Sequence, residues 1–233
     1  MKAVILAGGK GSRLAPYTMV LPKPLMPIGE MPILEIVLKQ LKACGFEEIV
    51  IAVGHLAALI KTYFGDGSRL GLRIDYALED QPLGTAGPLG AIEGLDETFL
   101  VMNGDILTDL DYAALVERHR QQGAALTVAA YRRTVKIDFG VLQTDEASVT
   151  EYIEKPQLDY IVSMGIYAME PAVREHIKPG VYMDLPDLVR LLLSRGERVA
   201  VYRFEGRWLD IGRPDDFVEA QSLFEEHREQ FLR

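Results

Sequence analysis

The first residues that indicate chemistry form a glycine-rich run at positions 8–14, directly after the apolar stretch 2–6. A glycine loop at the carboxyl end of a parallel strand lets backbone amides close on a phosphate. The run is not a P-loop, because Lys10 is followed by Gly11, and it is a poor dinucleotide fingerprint, because Leu14 occupies the position of the third glycine. The pattern alone leaves a tight turn and a phosphate-binding loop as alternatives.

Two basic residues close to this run favour a phosphate site. Lys23 lies between Pro22 and Pro24, which stiffen the backbone on both sides of it. Arg13 follows the glycines closely, and a guanidinium group binds phosphate oxygens through two parallel hydrogen bonds. Either residue alone would be read as a solvated surface charge. Together with the glycines they predict a binding site for a small anion.

Asp105 and Asp210 are candidate ligands of a divalent cation. We expect Asp105 to follow a strand that ends near Met102, and Asp210 to follow a strand that ends near Phe204. An open α/β sheet binds its ligands at the carboxyl ends of its strands, so the two carboxylates can meet across a crevice. Mg²⁺ prefers few carboxylates combined with phosphate oxygens and water. As isolated residues, both aspartates are somewhat better explained as turn or loop residues.

The elements that must position these residues alternate between strands and helices in the first half of the chain. The hydrophobic pattern predicts strands at 2–6, 49–53, 72–78 and 99–102, and helices at 32–45, 56–64, around 86–92 and at 111–123. From residue 124 strands predominate, at 126–131, 140–143, 149–153, 161–168 and 199–204, before a last helix at 215–228. This order predicts one α/β domain over residues 1–233, with a mostly parallel sheet between helices and a small antiparallel element in the second half.

Composition and charge exclude several classes of protein. The net charge is −9 and the pI is near 5.0, which argues against DNA or RNA as a partner. No apolar stretch is long enough for a membrane span, and the amino terminus lacks a signal-peptide pattern. Cys44 is the single cysteine, so we expect no internal disulfide and a cytoplasmic location. The four histidines lack zinc-ligand spacing and are expected at the surface or at helix caps.

Several motifs in the chain resemble, in order and in register, those of the sugar-1-phosphate nucleotidylyltransferases. They are Ala7-Gly8-Gly9-Lys10-Gly11-Ser12-Arg13-Leu14, Pro22-Lys23-Pro24-Leu25, Pro82-Leu83-Gly84-Thr85-Ala86-Gly87, Asn103-Gly104-Asp105, Phe139-Gly140-Val141, Ile153-Glu154-Lys155-Pro156 and Trp208-Leu209-Asp210-Ile211-Gly212. The resemblance implies a Rossmann-like nucleotidyltransferase fold. It also implies that a sugar-1-phosphate oxygen attacks the α-phosphorus of a nucleoside triphosphate and that pyrophosphate leaves in line.

The resemblance assigns roles to particular residues. Arg13 would bind the leaving pyrophosphate and Lys23 the reacting phosphates, while Asp105 and Asp210 would hold Mg²⁺. The nucleotide would contact Leu6, Gly8, Gly9, Gly11, Ser12, Arg13, Lys23, Glu79, Gly84 and Thr85. The sugar phosphate would contact Gly140, Glu154, Lys155 and Ser163, with the lysine on the phosphate and Glu154 on sugar hydroxyls.

Two positions bear on the choice of substrates. Family members that use thymidine or uridine nucleotides often carry Gln where this chain has Glu79; an ionised glutamate accepts the N–H donors of guanine. Glu79 thus favours GTP, and the run from Pro82 to Leu89 resembles mannose-1-phosphate guanylyltransferases more closely than glucose-1-phosphate thymidylyltransferases. Ser163 replaces the usual Asn of the sugar pocket and lacks its amide, so a sugar other than mannose or glucose stays open.

Three other interpretations remain beside this one. The first is a glucose-1-phosphate thymidylyl- or uridylyltransferase, and the second is a non-catalytic homologue that binds a nucleotide sugar. The third, a nicotinamide-dependent dehydrogenase, would need glycine in place of Leu14. The sequence does not decide whether the chain forms a homo-oligomer.

Overall fold

A computed structural model describes residues 1–232, which form short strands and five helices. The strands are β1 (Lys2–Ala7), β2 (Pro27–Ile28), β3 (Met31–Pro32), β4 (Glu48–Val53), β5 (Arg73–Leu78), β6 (Phe99–Asn103), β7 (Ile106–Thr108), β8 (Leu126–Lys136), β9 (Val141–Thr144), β10 (Val149–Ile153), β11 (Gln157–Met169), β12 (Val199–Phe204) and β13 (Trp208–Asp210). The helices are α1 (Ile33–Ala43), α2 (Ala57–Phe64), α3 (Tyr112–Gln122), α4 (Leu185–Ser194) and α5 (Pro214–Phe231).

A seven-stranded sheet with the order β12-β8-β11-β6-β1-β4-β5 forms the centre of the molecule. β1 lies between β4 and β6 and is parallel to both. β11 runs antiparallel to its neighbours β6 and β8, whereas β12 is parallel to β8. The predicted mostly parallel, mixed α/β sheet with a late antiparallel element is therefore confirmed.

The sheet is covered on both faces because its central strands are apolar along their whole length. Alternate residues of β1 belong to different clusters: Ile5 packs on one face with α1, α2 and α3, and Val4 packs on the other face with α4. A third cluster joins α5 to Leu14 and Ile211, next to the glycine run and β13. The residues of interest thus lie on loops that rest on buried side chains.

Two small antiparallel sheets complete the second half of the chain. β9 and β10 pair with each other, and β13 pairs with β7. The expectation that Asp210 follows β12 directly is wrong, because the short strand β13 intervenes and Asp210 is its last residue. A three-residue strand is below the length at which a hydrophobic pattern is informative.

Two further expectations need correction, and one helix was not predicted. The stretch 86–92 forms only a short 3₁₀ turn, Gly87–Gly90, because glycine and proline disfavour an α-helix there. The helix α4 was not expected from the sequence. His119 was expected at the surface or at a helix cap, but it is fully buried. Its ring nitrogens lie 2.8 Å from the Thr127 hydroxyl and 3.0 Å from the Glu170 carboxylate.

None of the helices within residues 1–232 has both the length and the apolar composition needed to cross a bilayer.

Candidate active site

A cleft of about 440 Å³ lies at the carboxyl end of β1, which has β4 on one side and the later strand β6 on the other. Such a switch point is where open α/β sheets bind ligands. The cleft brings together all ten residues predicted to contact the nucleotide, together with Asp105: Leu6, Gly8, Gly9, Gly11, Ser12, Arg13, Lys23, Glu79, Gly84 and Thr85. It therefore combines a phosphate-type loop with acidic and basic side chains.

Glu79 closes one end of this cleft, just beyond the carboxyl end of β5. Its backbone N–H donates to the carbonyl of Val53 at 2.9 Å, and its carboxylate accepts a hydrogen bond from the N–H of Leu83 at 3.2 Å. The carboxylate occupies the space that a side chain at Gly8 would need, so a larger residue there would displace the Glu79 side chain. Burial raises the pKa of Glu79 above its ordinary value. The group is a fixed hydrogen-bond acceptor at the cleft wall.

Lys23 is buried to an unusual degree for a lysine and contacts Asp105 directly. Only 8% of its surface is exposed, and its ammonium group forms an ion pair with Oδ2 of Asp105. The prolines on either side of Lys23 and the short 3₁₀ turn Lys23–Leu25 fix its backbone. The other oxygen of Asp105, Oδ1, is buried without a hydrogen-bond partner in the described chain.

Asp210 reaches the same place through the pairing of β13 with β7. In that ladder Asp210 lies opposite Ile106, and the N–H of Ile211 donates to the carbonyl of Asp105 at 3.2 Å. Burial, and next the negative charge of Asp105, raise the pKa of Asp210, while Lys23 and Arg13 lower it. The two predicted carboxylates therefore lie close enough to repel each other.

Two observations show that the carboxylate oxygens of this aspartate pair suit a magnesium ion. Asp105 has an unpartnered buried oxygen, and the Asp210 carboxylate lies close enough to Asp105 for that negative charge to raise its pKa. Among residues 1–232 no group of three or more His, Cys, Asp or Glu side chains is placed to hold a metal. A hard cation that takes two carboxylates and completes its shell with phosphate oxygens and water matches this donor set.

Asp184, a residue that the sequence did not single out, holds the loop 83–87 in place at the cleft and is called the clamp below. Asp184 accepts hydrogen bonds from the backbone N–H and the hydroxyl of Thr85, at 3.0 and 3.2 Å. Gly84 has φ +77°, and a side chain there would meet the carbonyl of Met183 at 2.5 Å. Tyr182 lines the cleft and donates to Asp184 at 2.7 Å. Asp184 directly precedes α4. The sequence Asp-Leu-Pro is typical of the start of a helix, and it would have indicated this helix and its first residue.

A second cleft of about 350 Å³ adjoins the first, since Thr85 and Asn103 line both. Ser163 and Asp210 both line it. The Ser163 hydroxyl lies 3.0 Å from the hydroxyl of Tyr167 and accepts a hydrogen bond from the N–H of Gly165 at 3.2 Å. Ser163 is thus already engaged with its own strand.

The other three predicted sugar-phosphate residues lie apart from these clefts. Gly140 precedes β9, and Glu154 and Lys155 follow β10. The carboxylate of Glu154 accepts a hydrogen bond from Tyr152 at 3.0 Å and lies 4.0 Å from the Lys155 ammonium. Lys155 has φ +46°, a conformation that is uncommon for a residue with a side chain. The structure does not bring these three residues together with Lys23, Asp105 or Asp210.

The fold and the clefts define an α/β protein with a nucleotide-sized, phosphate-type site at the switch point of its sheet. A family model described as nucleotidyl transferase matches residues 2–227. The chain therefore belongs to the nucleotidyl transferase family.

Known proteins of this kind resemble the chain over most of its length. A UTP–glucose-1-phosphate uridylyltransferase of Synechocystis sp. is 37% identical over 94% of this chain. A mannose-1-phosphate guanylyltransferase of Mycobacterium tuberculosis is 36% identical, also over 94%. The crystal structure of HddC from Yersinia pseudotuberculosis complexed with GMP-PN superposes with a TM-score of 0.73 at 25% identity, covering 96% of this chain and 99% of that one.

The curated relatives are longer than this chain. The match covers 62% of the Synechocystis protein and 63% of the Mycobacterium protein.

Proposed function

We propose that the chain transfers a nucleoside monophosphate from a nucleoside triphosphate to a sugar-1-phosphate, giving an NDP-sugar and pyrophosphate. The observation that carries this proposal is that Lys23 and Asp105 form an ion pair in the cleft of the glycine loop, while Asp210, whose pKa the charge of Asp105 raises, lines the adjoining cleft. Both substrates are anions, so the main task of such a site is to neutralise charge and align two phosphates.

The chain's own residues divide that task between them. The backbone amides of the loop 8–12 and the guanidinium of Arg13 would bind the β- and γ-phosphates. Lys23, held by Asp105, would place its ammonium group beside the α-phosphate. Asp105 and Asp210 would hold Mg²⁺, which supplies charge neutralisation on the phosphate oxygens when bound. The sugar phosphate is already ionised, so no general base is needed to activate it.

The sugar-1-phosphate would enter through the second cleft, beside Asp210. Ser163 lines that cleft, and we assign it to a sugar hydroxyl. Gly140, Glu154 and Lys155 flank the β9–β10 hairpin and line neither cleft. We propose that Gly140 and Glu154 contact the sugar hydroxyls and that Lys155 contacts the phosphate.

We further propose GTP and mannose-1-phosphate as the substrates. Glu79 supports guanine, because a carboxylate at the cleft wall accepts N–H donors that uracil and thymine do not present in pairs. The Mycobacterium relative, a mannose-1-phosphate guanylyltransferase, and the GMP-PN complex of HddC agree with this choice. The Synechocystis relative favours glucose-1-phosphate and UTP as a second candidate pair.

A substrate panel tests the proposal. Purified protein is incubated with Mg²⁺, one of ATP, GTP, CTP, UTP or dTTP, and one of several hexose-1-phosphates, and pyrophosphate release is measured. We expect release above background with GTP and mannose-1-phosphate. Release only with UTP or dTTP and glucose-1-phosphate would move the assignment to the second candidate pair. The absence of release with every pair, while nucleotide sugars still bind, would identify a non-catalytic homologue.

A further inference from the structure

A third groove of about 400 Å³ adjoins both clefts. Arg13 lines this groove and the nucleotide cleft, and Asp210 lines this groove and the second cleft. We call it the arginine groove, after Arg13, Arg133 and Arg213, which line it together with the rings of Tyr131 and Trp208. The groove is therefore continuous with the place where the proposed reaction occurs.

The three guanidinium groups are available to an anion. All three residues are exposed, and none of them appears in an ion pair among residues 1–232, whereas a neighbouring arginine, Arg207, pairs with Asp109 at 2.9 Å. Of the carboxylates that line the groove, Asp216 is engaged by the N–H groups of Gly212 and Arg213, at 3.0 and 2.7 Å.

The position of Arg213 is not explained by helix stability. It is the N-cap residue of α5, where Ser, Thr, Asp and Asn are strongly preferred because their side chains accept hydrogen bonds. An arginine cannot accept one, and its positive charge is unfavourable at this end of a helix. Asp216 caps the helix instead. A bound anion in the groove would account for a guanidinium at this position.

The pleat of β8 sets the direction of Arg133. Tyr131 and Arg133 both line the groove, as residues two apart on a strand must share a face. Arg132, between them, belongs to the opposite face. It is also exposed and carries the same charge. Arg132 therefore provides a matched control for Arg133.

We propose that the arginine groove receives the pyrophosphate that leaves in the reaction, with Arg133 and Arg213 as binding residues additional to Arg13. This inference rests on the proposed function. As the sugar phosphate oxygen bonds to the α-phosphorus, the bond from that phosphorus to the bridging oxygen breaks, and pyrophosphate departs with the electron pair. Guanidinium groups bind such an anion through paired hydrogen bonds.

The kinetic test uses the reverse reaction, in which pyrophosphate is a substrate. In Arg133→Gln and Arg213→Gln we expect the KM for pyrophosphate to rise about tenfold, the size of one partly exposed charge-assisted hydrogen bond. The KM for the nucleotide sugar should stay within about twofold, because the groove does not hold it. Arg132→Gln should behave as wild type. Equal effects of all three substitutions on the KM for pyrophosphate would overturn the proposal.

A binding measurement separates this inference from the proposed function. Trp208 is the only tryptophan and lies in the groove, with its indole N–H donating to the carbonyl of Met164 at 3.0 Å. Titration with inorganic pyrophosphate should change its fluorescence, with a Kd about tenfold higher in Arg133→Gln and Arg213→Gln than in Arg132→Gln. If this pattern holds in a protein without transfer activity, the proposed function fails and the pyrophosphate site stands. An unchanged Kd in both groove variants overturns the site even if transfer is observed.

Discussion

Asp105 is the residue whose replacement most clearly separates a metal ligand from a structural ion-pair partner. Asp105→Asn keeps the size of the side chain and an oxygen that can accept a hydrogen bond from Lys23, but it removes the charge. Asp105→Ala removes both, and Lys23 is only 8% exposed. Because a hydrogen bond to a charged group contributes about 1.5–3 kcal/mol, we expect Asp105→Ala to lose about that much free energy of unfolding. Asp105→Asn should lose less.

The two substitutions should reduce activity to a similar extent, although they differ in their effect on stability. Both variants should lose at least ~100-fold in turnover, the scale of one charge-stabilising group in a closed site. The assays are pyrophosphate release at saturating substrate, repeated over a range of Mg²⁺ concentrations, and urea unfolding of each variant. Turnover of Asp105→Asn within about tenfold of wild type, at ordinary Mg²⁺, would refute the metal role and leave Asp105 as a partner of Lys23 alone.

The remaining predictions concern substrate recognition. Burial raises the pKa of Glu79, and the protonated carboxyl can no longer accept two N–H donors with both oxygens. The KM for GTP should therefore rise on acidification, starting above the pH expected of an ordinary glutamate. Glu79→Gln should abolish that pH dependence, and a KM profile that keeps its slope would contradict the assignment. Ser163→Asn, which adds an amide, should lower the KM for mannose-1-phosphate about fivefold; no change would remove Ser163 from the sugar site. Asp184→Ala frees Thr85 and its loop, so the KM for nucleotide should rise about tenfold while kcat changes little; a fall in kcat alone would contradict a clamp role.

The alternation of apolar strands and helices was readable from the sequence because central parallel strands are apolar on both faces. The pattern around β1, β4 and β6 is of this kind, whereas their order in the sheet is given by the structure. The elements that were not predicted include the ten-residue helix α4 and the strand β13. β13 has three residues, and its pairing with β7 is a long-range contact that no local pattern reveals.

The nucleotide cleft was the most predictable part of the site. Its residues come from loops at the ends of neighbouring strands, so proximity along the sheet predicts proximity in space. The positions of Glu154 and Lys155 were not predictable in this way, since these residues follow β10, which belongs to a separate two-stranded sheet. The clamp by Asp184 joins loops that are 99 residues apart, and only the structure brings them together.

The most direct test of the central claim is ³¹P nuclear magnetic resonance of GTP, mannose-1-phosphate and Mg²⁺ incubated with the protein. The account predicts that the sugar phosphate signal falls while GDP-mannose and pyrophosphate appear in equal amounts. Formation of GDP and inorganic phosphate instead, or no change with any nucleotide and hexose-1-phosphate, would contradict it.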